Sequence, residues 1–420
     1  MQPPVDSTVI NLSETLDKQC LMCHSRCMER EDKITLTERL IAHVDNNSTD
    51  YADDLLRVPF SAFNDPELAE RERKVVRRLP HIVAHVDELK KAGDFVTTEL
   101  IGTPLLVVRQ TDGSVKAFSN VCRHRGAKVE FEESGCKRIF SCPYHNWAYG
   151  RGGDLRGMPH SEGFDGMDRA QYGLVEFPCE VRHGLVWVVP TVGADLDIAA
   201  ILGAKHDAEV TATGMAESFQ VRKETWRLDM NWKIAVDGVQ DSYHLCQLHT
   251  KTVCNYLEGN ITAYDLVDRS WRIVVARKSI TEVRGADPDS FDVRDYSLAN
   301  YTIYPGTMLV TEPNHFEIWT IVPDTEDPNV SYCTIRLLSP KEPETPREKR
   351  ILDKNWELLM ETLHAEDWFV TKTITANAAH GQVDELIYGR NELPGQVFHK
   401  MITRDAEEVA REEAAVGGAK

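Results

Sequence analysis

Apolar positions along the chain change their period twice. Residues 1–50 are a polar lead-in with a short helical stretch at 36–44. Asp65 and Pro66 can then start a helix whose intermittent apolar face is Leu68, Val75, Val76 and Leu79, and Pro80 stops it. From Ile82 the period shortens to that of strands: runs at 95–98, 104–109 and 115–118 are separated by turns such as Thr111-Asp112-Gly113. These runs predict a small antiparallel domain. Its last strand, 185–189, follows the turn-like Arg182-His183-Gly184, and it ends at Pro190.

Residues 191–218 contain an Ala/Asp-rich surface stretch. Alternation resumes over 218–228, followed by one helix over 232–248 and strand-like runs at 271–277, 301–304, 307–311, 316–322 and 331–338. After the turn-rich KEPETP segment, 347–379 predicts a single long amphipathic helix. The expected class is α+β: residues 1–81 form an extension whose helices pack on the C-terminal part, 82–190 the small β-domain, and 191–420 a unit in which a curved antiparallel sheet closes on a long C-terminal helix. Such a unit can enclose a pocket.

Composition narrows the setting. With 420 residues, 42% of them hydrophobic and 27% charged, the chain can build more than one core, and no apolar run approaches 18 residues. The N-terminal MQPPVDSTVINLSETLDKQ has no basic segment followed by an apolar one, so no secretory signal is expected and the cytoplasm is the default. A net charge of -19 disfavours non-specific contact with nucleic acid or an anionic membrane while leaving room for a local basic docking patch. Ten cysteines spread over the whole length argue for thiolate ligands or buried thiols. Cys20, Cys23 and Cys27, with His24 among them, lie in a polar terminal segment that offers no second ligand pair. They read as surface thiols ahead of a disulfide or a metal site.

The chemistry concentrates in Cys122-Arg-His124 and Cys142-Pro-Tyr-His145, with 17 residues between His124 and Cys142. Each short unit can deliver one soft thiolate and one imidazole to the same small volume. Two thiolates on one iron and two imidazoles on the other make a Rieske [2Fe-2S] centre. A zinc finger would group its histidines after its cysteines, whereas here each histidine follows its own cysteine. The segments AFSNVCRHRGAKVE and SCPYHNWAYGRGGDL resemble those of the alpha (large, terminal oxygenase) subunits of Rieske non-haem iron ring-hydroxylating oxygenases, and the resemblance runs from about Val58 onward. It implies a Rieske β-domain followed by a helix-grip catalytic domain. The two extra cysteines that brace respiratory-chain Rieske proteins correspond here to Ala127 and Tyr144, which points to the lower-potential oxygenase or ferredoxin type. Asn146 replaces the family's usual glycine, and asparagine tolerates a left-handed backbone better than most residues. Trp147 and Tyr144 are expected to pack over the cluster loop, and Cys136 to be a structural thiol.

A second constellation lies in NWKIAVDGVQDSYHLCQLHT. On a helix Asp237, Asp241 and His244 share a face, but His249 is about 140° away from His244, so both rings reach one metal only if the helix bends, widens or ends between them. An electron-transfer centre needs an acceptor, and the chain has no flavin or dinucleotide fingerprint. By the family resemblance, His244 and His249 ligate a mononuclear Fe(II), Asp241 links them to the Rieske histidine of a neighbouring subunit, and an aspartate on the long helix is the third ligand. Among Glu357, Glu361, Glu366 and Asp367, that role falls to Asp367 ahead of Glu366; His364 is read as packing or pocket lining and Asp237 as a neighbour of the site. The resemblance further implies O2 activation with electrons from NADH, delivered by a separate reductase with or without a ferredoxin. The product is a hydroxylated, cis-dihydroxylated in the favoured reading, aromatic substrate. GRNELPGQVFHK resembles aromatic ring hydroxylases more than quaternary-amine oxygenases. The alternatives are a monooxygenase or O/N-demethylase of a non-aromatic substrate and, in a different class, a large Rieske electron carrier. A homotrimer or an alpha3beta3 hexamer is expected.

Overall fold

The computed structural model describes residues 30–417. Cys20, Cys23, Cys27 and His24 therefore lie outside the described residues. The lead-in helix is longer than its apolar spacing suggests, running as α1 over Arg30–Asn46. Strand β1 (Leu56–Pro59) precedes α2 (Pro66–Arg77), which begins where Asp65 accepts hydrogen bonds from the Glu67 and Leu68 amides.

The small β-unit follows in chain order: β2 (His81–His85), β3 (Asp94–Leu100), β4 (Thr103–Arg109), β5 (Val115–Ser119), β6 (Ser134–Cys136), β7 (Ile139–Ser141), β8 (Ala148–Gly150), β9 (Leu155–Gly157), β10 (Glu176–Phe177), β11 (Cys179–Arg182) and β12 (Leu185–Val188). They make a five-stranded sheet β10-β5-β4-β3-β6, a three-stranded sheet β11-β12-β2 and the small sheet β7-β8-β9. Phe95, Phe118, Phe140 and Tyr149 fill the space between sheets and are almost wholly buried.

Residues 191–218 are not a mere surface stretch. They contain α3 (Ile198–Ala212), which buries Ile198, Leu202, His206, Glu209 and Val210, two of these being polar and so invisible to an apolar-period search. Strand β13 (Phe219–Leu228) leads to α4 (Trp232–Gln240) and the single turn α5 (Leu245–Leu248), so the expected continuous helix over 232–248 is broken. The large sheet comprises β13 with β14 (Leu257–Val267), β15 (Ser270–Arg277), β16 (Ser297–Ile303), β17 (Thr307–Thr311), β18 (Phe316–Pro323) and β19 (Ser331–Ser339), in the antiparallel order β13-β19-β18-β17-β16-β15-β14. The long helix is present as α6 (Pro346–Glu361), a π-helical turn over Thr362–Asp367, and α7 (Trp368–Ala378). Strand β20 (Glu385–Tyr388) pairs with β1, and a second long helix not expected from the sequence, α8 (Leu393–Gly417), lies against α2 through Lys74–Glu413 and Arg78–Glu412 ion pairs.

One buried apolar cluster includes Val96, Leu105 and Val107 of the small unit and Trp271, Met308 and Trp319 of the large sheet. A wholly enclosed ion pair, Glu72 with Lys233, ties α2 to α4, and Glu72 also accepts from the Trp232 indole at 3.2 Å. A buried pair of this kind is costly to leave half-made, so it fixes where α4 starts. Among the described residues no helix is long and apolar enough to cross a membrane.

Candidate metal centres

The two Cys/His loops are near copies of each other in their main chain. The Gly126 amide donates to the Cys122 carbonyl at 2.9 Å and the Asn146 amide to the Cys142 carbonyl at 2.9 Å; the Cys122 amide donates to Ala127 at 2.8 Å and the Cys142 amide to Trp147 at 2.9 Å. Closing each loop requires a left-handed residue, supplied by Gly126 (φ 74°) and by Asn146 (φ 58°), as the asparagine's tolerance predicts. Buried Asn120 fixes the first loop by accepting from the Val129 and Glu130 amides and donating to the Glu130 carbonyl. Trp147 is buried and stacks on His124 at 4.8 Å, as expected. Tyr144 lies against His145 at 3.8 Å, yet its side chain is mostly exposed, and Cys136, read from the sequence as a structural thiol, is a free and exposed cysteine at the end of β6.

Cys122, His124, Cys142 and His145 are brought together. Both thiols are buried, the two imidazoles lie 4.6 Å apart, and the Nδ1 atoms of His124 and His145 are buried with no hydrogen-bond partner. Unpartnered buried nitrogens are rare, so two of them beside two buried thiols form a donor set suited to a [2Fe-2S] cluster. The Tyr149 hydroxyl lies 3.3 Å from Cys122 Sγ and accepts from the Arg123 amide at 3.0 Å; sequence reasoning had not singled it out.

The second site depends on where helices stop. Asp241 leaves the helical conformation (φ -94°, ψ 123°), and its carboxylate accepts from the Tyr243 amide at 2.6 Å, a local bond that competes with helix continuation. The chain turns, His244 opens α5, and His249 closes it. The break removes the angular mismatch between the two histidines. His244 Nε2 and His249 Nε2 lie 3.1 Å apart, and Asp367 Oδ1 is 3.4 Å from the former and 3.1 Å from the latter. These edges match adjacent corners around a metal with bonds of about 2.0–2.2 Å. His244 and His249, at the two ends of α5, and Asp367, from the π-helical turn of the long helix, thus come from two segments to one point.

The far side of each imidazole is tied to its own carboxylate. His244 Nδ1 is 2.9 Å from Asp241 Oδ2, and His249 Nδ1 is 2.8 Å from Glu366 Oε2, which also accepts from Thr252 Oγ1 at 2.6 Å. A proton on each Nδ1 leaves a lone pair on each Nε2, so two lone pairs and a carboxylate oxygen converge. Only extra protons or a cation can sit among them. Burial opposes charge on His244, yet Asp241 and Asp367 outweigh it and push its pKa up to about 10; burial opposes charge on His249 as well, and Asp367 with Glu366 outweighs it, so its pKa is also raised. Asp367 is held below the usual carboxylate range by the two imidazoles, despite burial.

Asp367 and Glu366 are consecutive, and the π-helical turn lets both address one imidazole from opposite nitrogens. Glu366 is therefore the partner of His249 and Asp367 the residue of the three-donor set. Glu357 and Glu361 are exposed, and His364 packs against Trp368 at 4.6 Å, away from the set. Asp237 accepts from the Tyr388 hydroxyl at 2.6 Å and lies 2.9 Å from His399 Nε2; it neighbours the site through its helix and touches none of the three donors.

Residues 80–178 match the Rieske [2Fe-2S] domain, and residues 215–408 match the catalytic domain of ring hydroxylating alpha subunits. A stretch of 272 residues is 32% identical to the carnitine monooxygenase oxygenase subunit of Escherichia coli (strain K12), covering 61% of this chain and 67% of that protein. The chain belongs to the Rieske oxygenase alpha-subunit family. This Rieske oxygenase is also 29% identical over 303 residues to subunit alpha 2 of the terminal oxygenase component of terephthalate 1,2-dioxygenase from Comamonas sp, covering 64% of this chain and 72% of that one. The matched stretch spans only 41% of the biphenyl 2,3-dioxygenase alpha subunit of Rhodococcus jostii (strain RHA1), at 33% identity and 43% of this chain. In fold, the Rieske oxygenase superposes on a quaternary ammonium Rieske monooxygenase with a TM-score of 0.72 at 19% identity, covering 85% and 96% of the two chains. The family's two domains imply a Rieske cluster and a mononuclear iron.

Proposed function

We propose that Cys122, His124, Cys142 and His145 hold the [2Fe-2S] cluster, that His244, His249 and Asp367 hold the mononuclear Fe(II), and that the chain is the NADH-dependent terminal oxygenase of a multicomponent cytoplasmic system. The observation that carries the reading is the convergence of two Nε2 atoms and one Asp367 oxygen while both Nδ1 atoms are tied to carboxylates. The cluster supplies electrons singly, and an iron held by two imidazoles and one carboxylate offers an open face for O2 beside the substrate. Asp241 and Glu366 keep the Nδ1 protons in place, orienting the rings and making the Nε2 atoms better donors. Residues 82–190 are assigned as the Rieske unit, 191–420 as the catalytic unit, and 1–81 as an extension on the latter.

Asp241 is partly exposed, and its two oxygens retain acceptor capacity beyond Tyr243 and His244. It is assigned the bridge to His145 of the partner subunit in a threefold ring, alone or with a beta subunit. The structure of a quaternary ammonium Rieske monooxygenase of the same fold gives insights into inter-subunit electron transfer in that protein, which supports this assignment. Electrons come from NADH through a separate reductase, with or without a ferredoxin. The substrate class assigned is aromatic, with cis-dihydroxylation, in line with the dioxygenase relatives. Oxidation of a quaternary ammonium compound is the second reading, favoured by the carnitine monooxygenase relative. The chain, loaded with both metals and assayed with reductase, NADH and O2 on terephthalate, biphenyl and carnitine, is expected to give a cis-diol from an aromatic compound. A product from carnitine alone moves the assignment to the second reading. An intact cluster in protein that never binds mononuclear iron would sink the oxygenase reading in favour of an electron carrier.

A further inference from the structure

Ten cysteines read as ligands or buried thiols predict no disulfide, yet Cys246 and Cys254 are bonded, with Cα atoms 5.0 Å apart. The bond encloses His249, three residues after Cys246 and five before Cys254. It also encloses Thr252, whose hydroxyl holds Glu366 against His249 at 2.6 Å. Both cysteines are partly exposed. Cys246 is further pinned against the start of β14. A methyl group on Gly259 would meet its Cβ at 2.7 Å, and its sulfur lies 3.7 Å from the Leu257 carbonyl. The covalent link therefore runs across the one segment that supplies both a metal-facing nitrogen and the hydroxyl that orients its carboxylate partner.

We infer that Cys246 and Cys254 form a redox-addressable brace on the His249 loop, a site of oxidative modification by hydroperoxides. This rests on the reading of His249 as an iron ligand. One thiol attacks a hydrogen peroxide oxygen, the O–O bond breaks, and a sulfenic acid and water form. The second thiol then displaces water from that sulfur and the S–S bond forms. Two thiols lose two electrons and two protons in all, and peroxide is reduced to two waters. A dithiol reverses the step by thiol–disulfide exchange. Disulfides are rare in reducing compartments and there mostly serve catalysis or redox sensing, so a bond at this place fits a switch better than a permanent staple.

The full chain, loaded with both metals, is treated with peroxide or with dithiothreitol and read three ways. Non-reducing peptide mapping is expected to join Cys246 to Cys254 after peroxide and to find both thiols free after dithiothreitol. Amide hydrogen exchange across residues 245–256 is expected to rise on reduction, and to be high under both treatments in Cys254→Ser, while Cys136→Ser follows the unsubstituted protein. Loss of mononuclear iron to a chelator is expected to be roughly tenfold faster in the reduced form, the size of effect seen when a ligand's supporting partners are removed, with the cluster absorption unchanged. Two free thiols after peroxide, or exchange that is equal in both forms, overturns the brace. Exchange that responds to redox state in protein binding no mononuclear iron supports the brace and instead sinks the iron reading.

Discussion

The two metal-binding regions differ in what holds their donors in place. Around Cys122–His124 and Cys142–His145 the main chain does it: paired amide–carbonyl bonds close both loops, and a left-handed residue ends each. Around His244, His249 and Asp367 side chains do it, with Asp241 and Glu366 each gripping one imidazole. A backbone-built site is local, so its whole geometry is written in two short stretches of sequence. A side-chain-built site draws on segments more than 100 residues apart and exists only once the sheet and the long helix have met. Damage should follow the same division.

The largest effects should separate the regions completely. Cys142→Ala is expected to abolish the visible cluster absorption while leaving mononuclear iron bound, because no donor is shared; metal analysis beside the spectrum checks this, and a surviving spectrum sinks the cluster assignment. Asp367→Ala should do the converse, keeping the Rieske spectrum and losing mononuclear iron and turnover. If instead Asp367→Ala retains iron and Glu366→Ala loses it altogether, the donor moves by one residue. With Asp367 as donor, Glu366→Gln keeps the shape beside His249 but removes the charge, and should weaken iron binding about 10–100-fold, measured by competition with a chelator.

The same division explains what could be read in advance. The strands from β15 to β19 were legible because their apolar residues alternate or run together, as in Trp271, Ile273 and Val275. Strand β14 was not: its register slips between Leu257 and Thr262, where Glu258, Gly259 and Asn260 interrupt the pattern, and Asn260 takes a positive φ of 59°. Helix α3 hid because buried His206 and Glu209 occupy part of its inner face. Histidine spacing alone required the helix to bend, widen or end between His244 and His249 if both were to reach one metal. The position of the break needed the Asp241 side chain, and the Asp-Ser pair at 241–242 was the available signal. Glu366 was visible only as an alternative donor; its role as the partner of His249 carried no signal, since an α-helix would point it about 100° away from Asp367 and the π-helical turn brings both to His249. Within GRNELPGQVFHK, Gln396 bonds the Asp54, Tyr388 and Gly389 carbonyls and His399 meets Asp237, contacts that no apolar period announces.

Asp241 tests where the two regions are proposed to meet. Asp241→Asn keeps the shape and one acceptor but removes the charge that His244 and the proposed His145 of the partner subunit would share. Both metals should stay bound, cluster reduction by the reductase should be little changed, and cluster reoxidation with O2 and substrate should slow by about tenfold or more. Single-turnover kinetics on the prereduced protein reads both steps. Wild-type reoxidation in Asp241→Asn and Asp241→Ala would leave the carboxylate a role only at His244. Full activity in a monomer would remove the intersubunit route altogether.

The smallest effect lies in the loop that distinguishes the backbone-built site. Asn146 stands at φ 58° with its side chain exposed, and its amide closes the loop onto Cys142. Replacing it therefore changes backbone preference and little else. Asn146→Gly lowers the cost of the left-handed conformation in the folded loop but adds freedom to the unfolded chain, two terms that oppose each other and should leave stability nearly unchanged. Asn146→Ala has no such offset: it keeps the Cβ but loses the short polar side chain that lets asparagine tolerate the left-handed region, and should cost up to about 1 kcal/mol, below the full penalty of about 1–2 kcal/mol for an ordinary residue there. Denaturant titration followed by bleaching of the cluster chromophore would resolve the difference. The expected order is Gly close to Asn, with Ala clearly below both; equal midpoints for Gly and Ala would mean that the loop relaxes out of the left-handed conformation, and that main-chain closure is not what holds His145 in place.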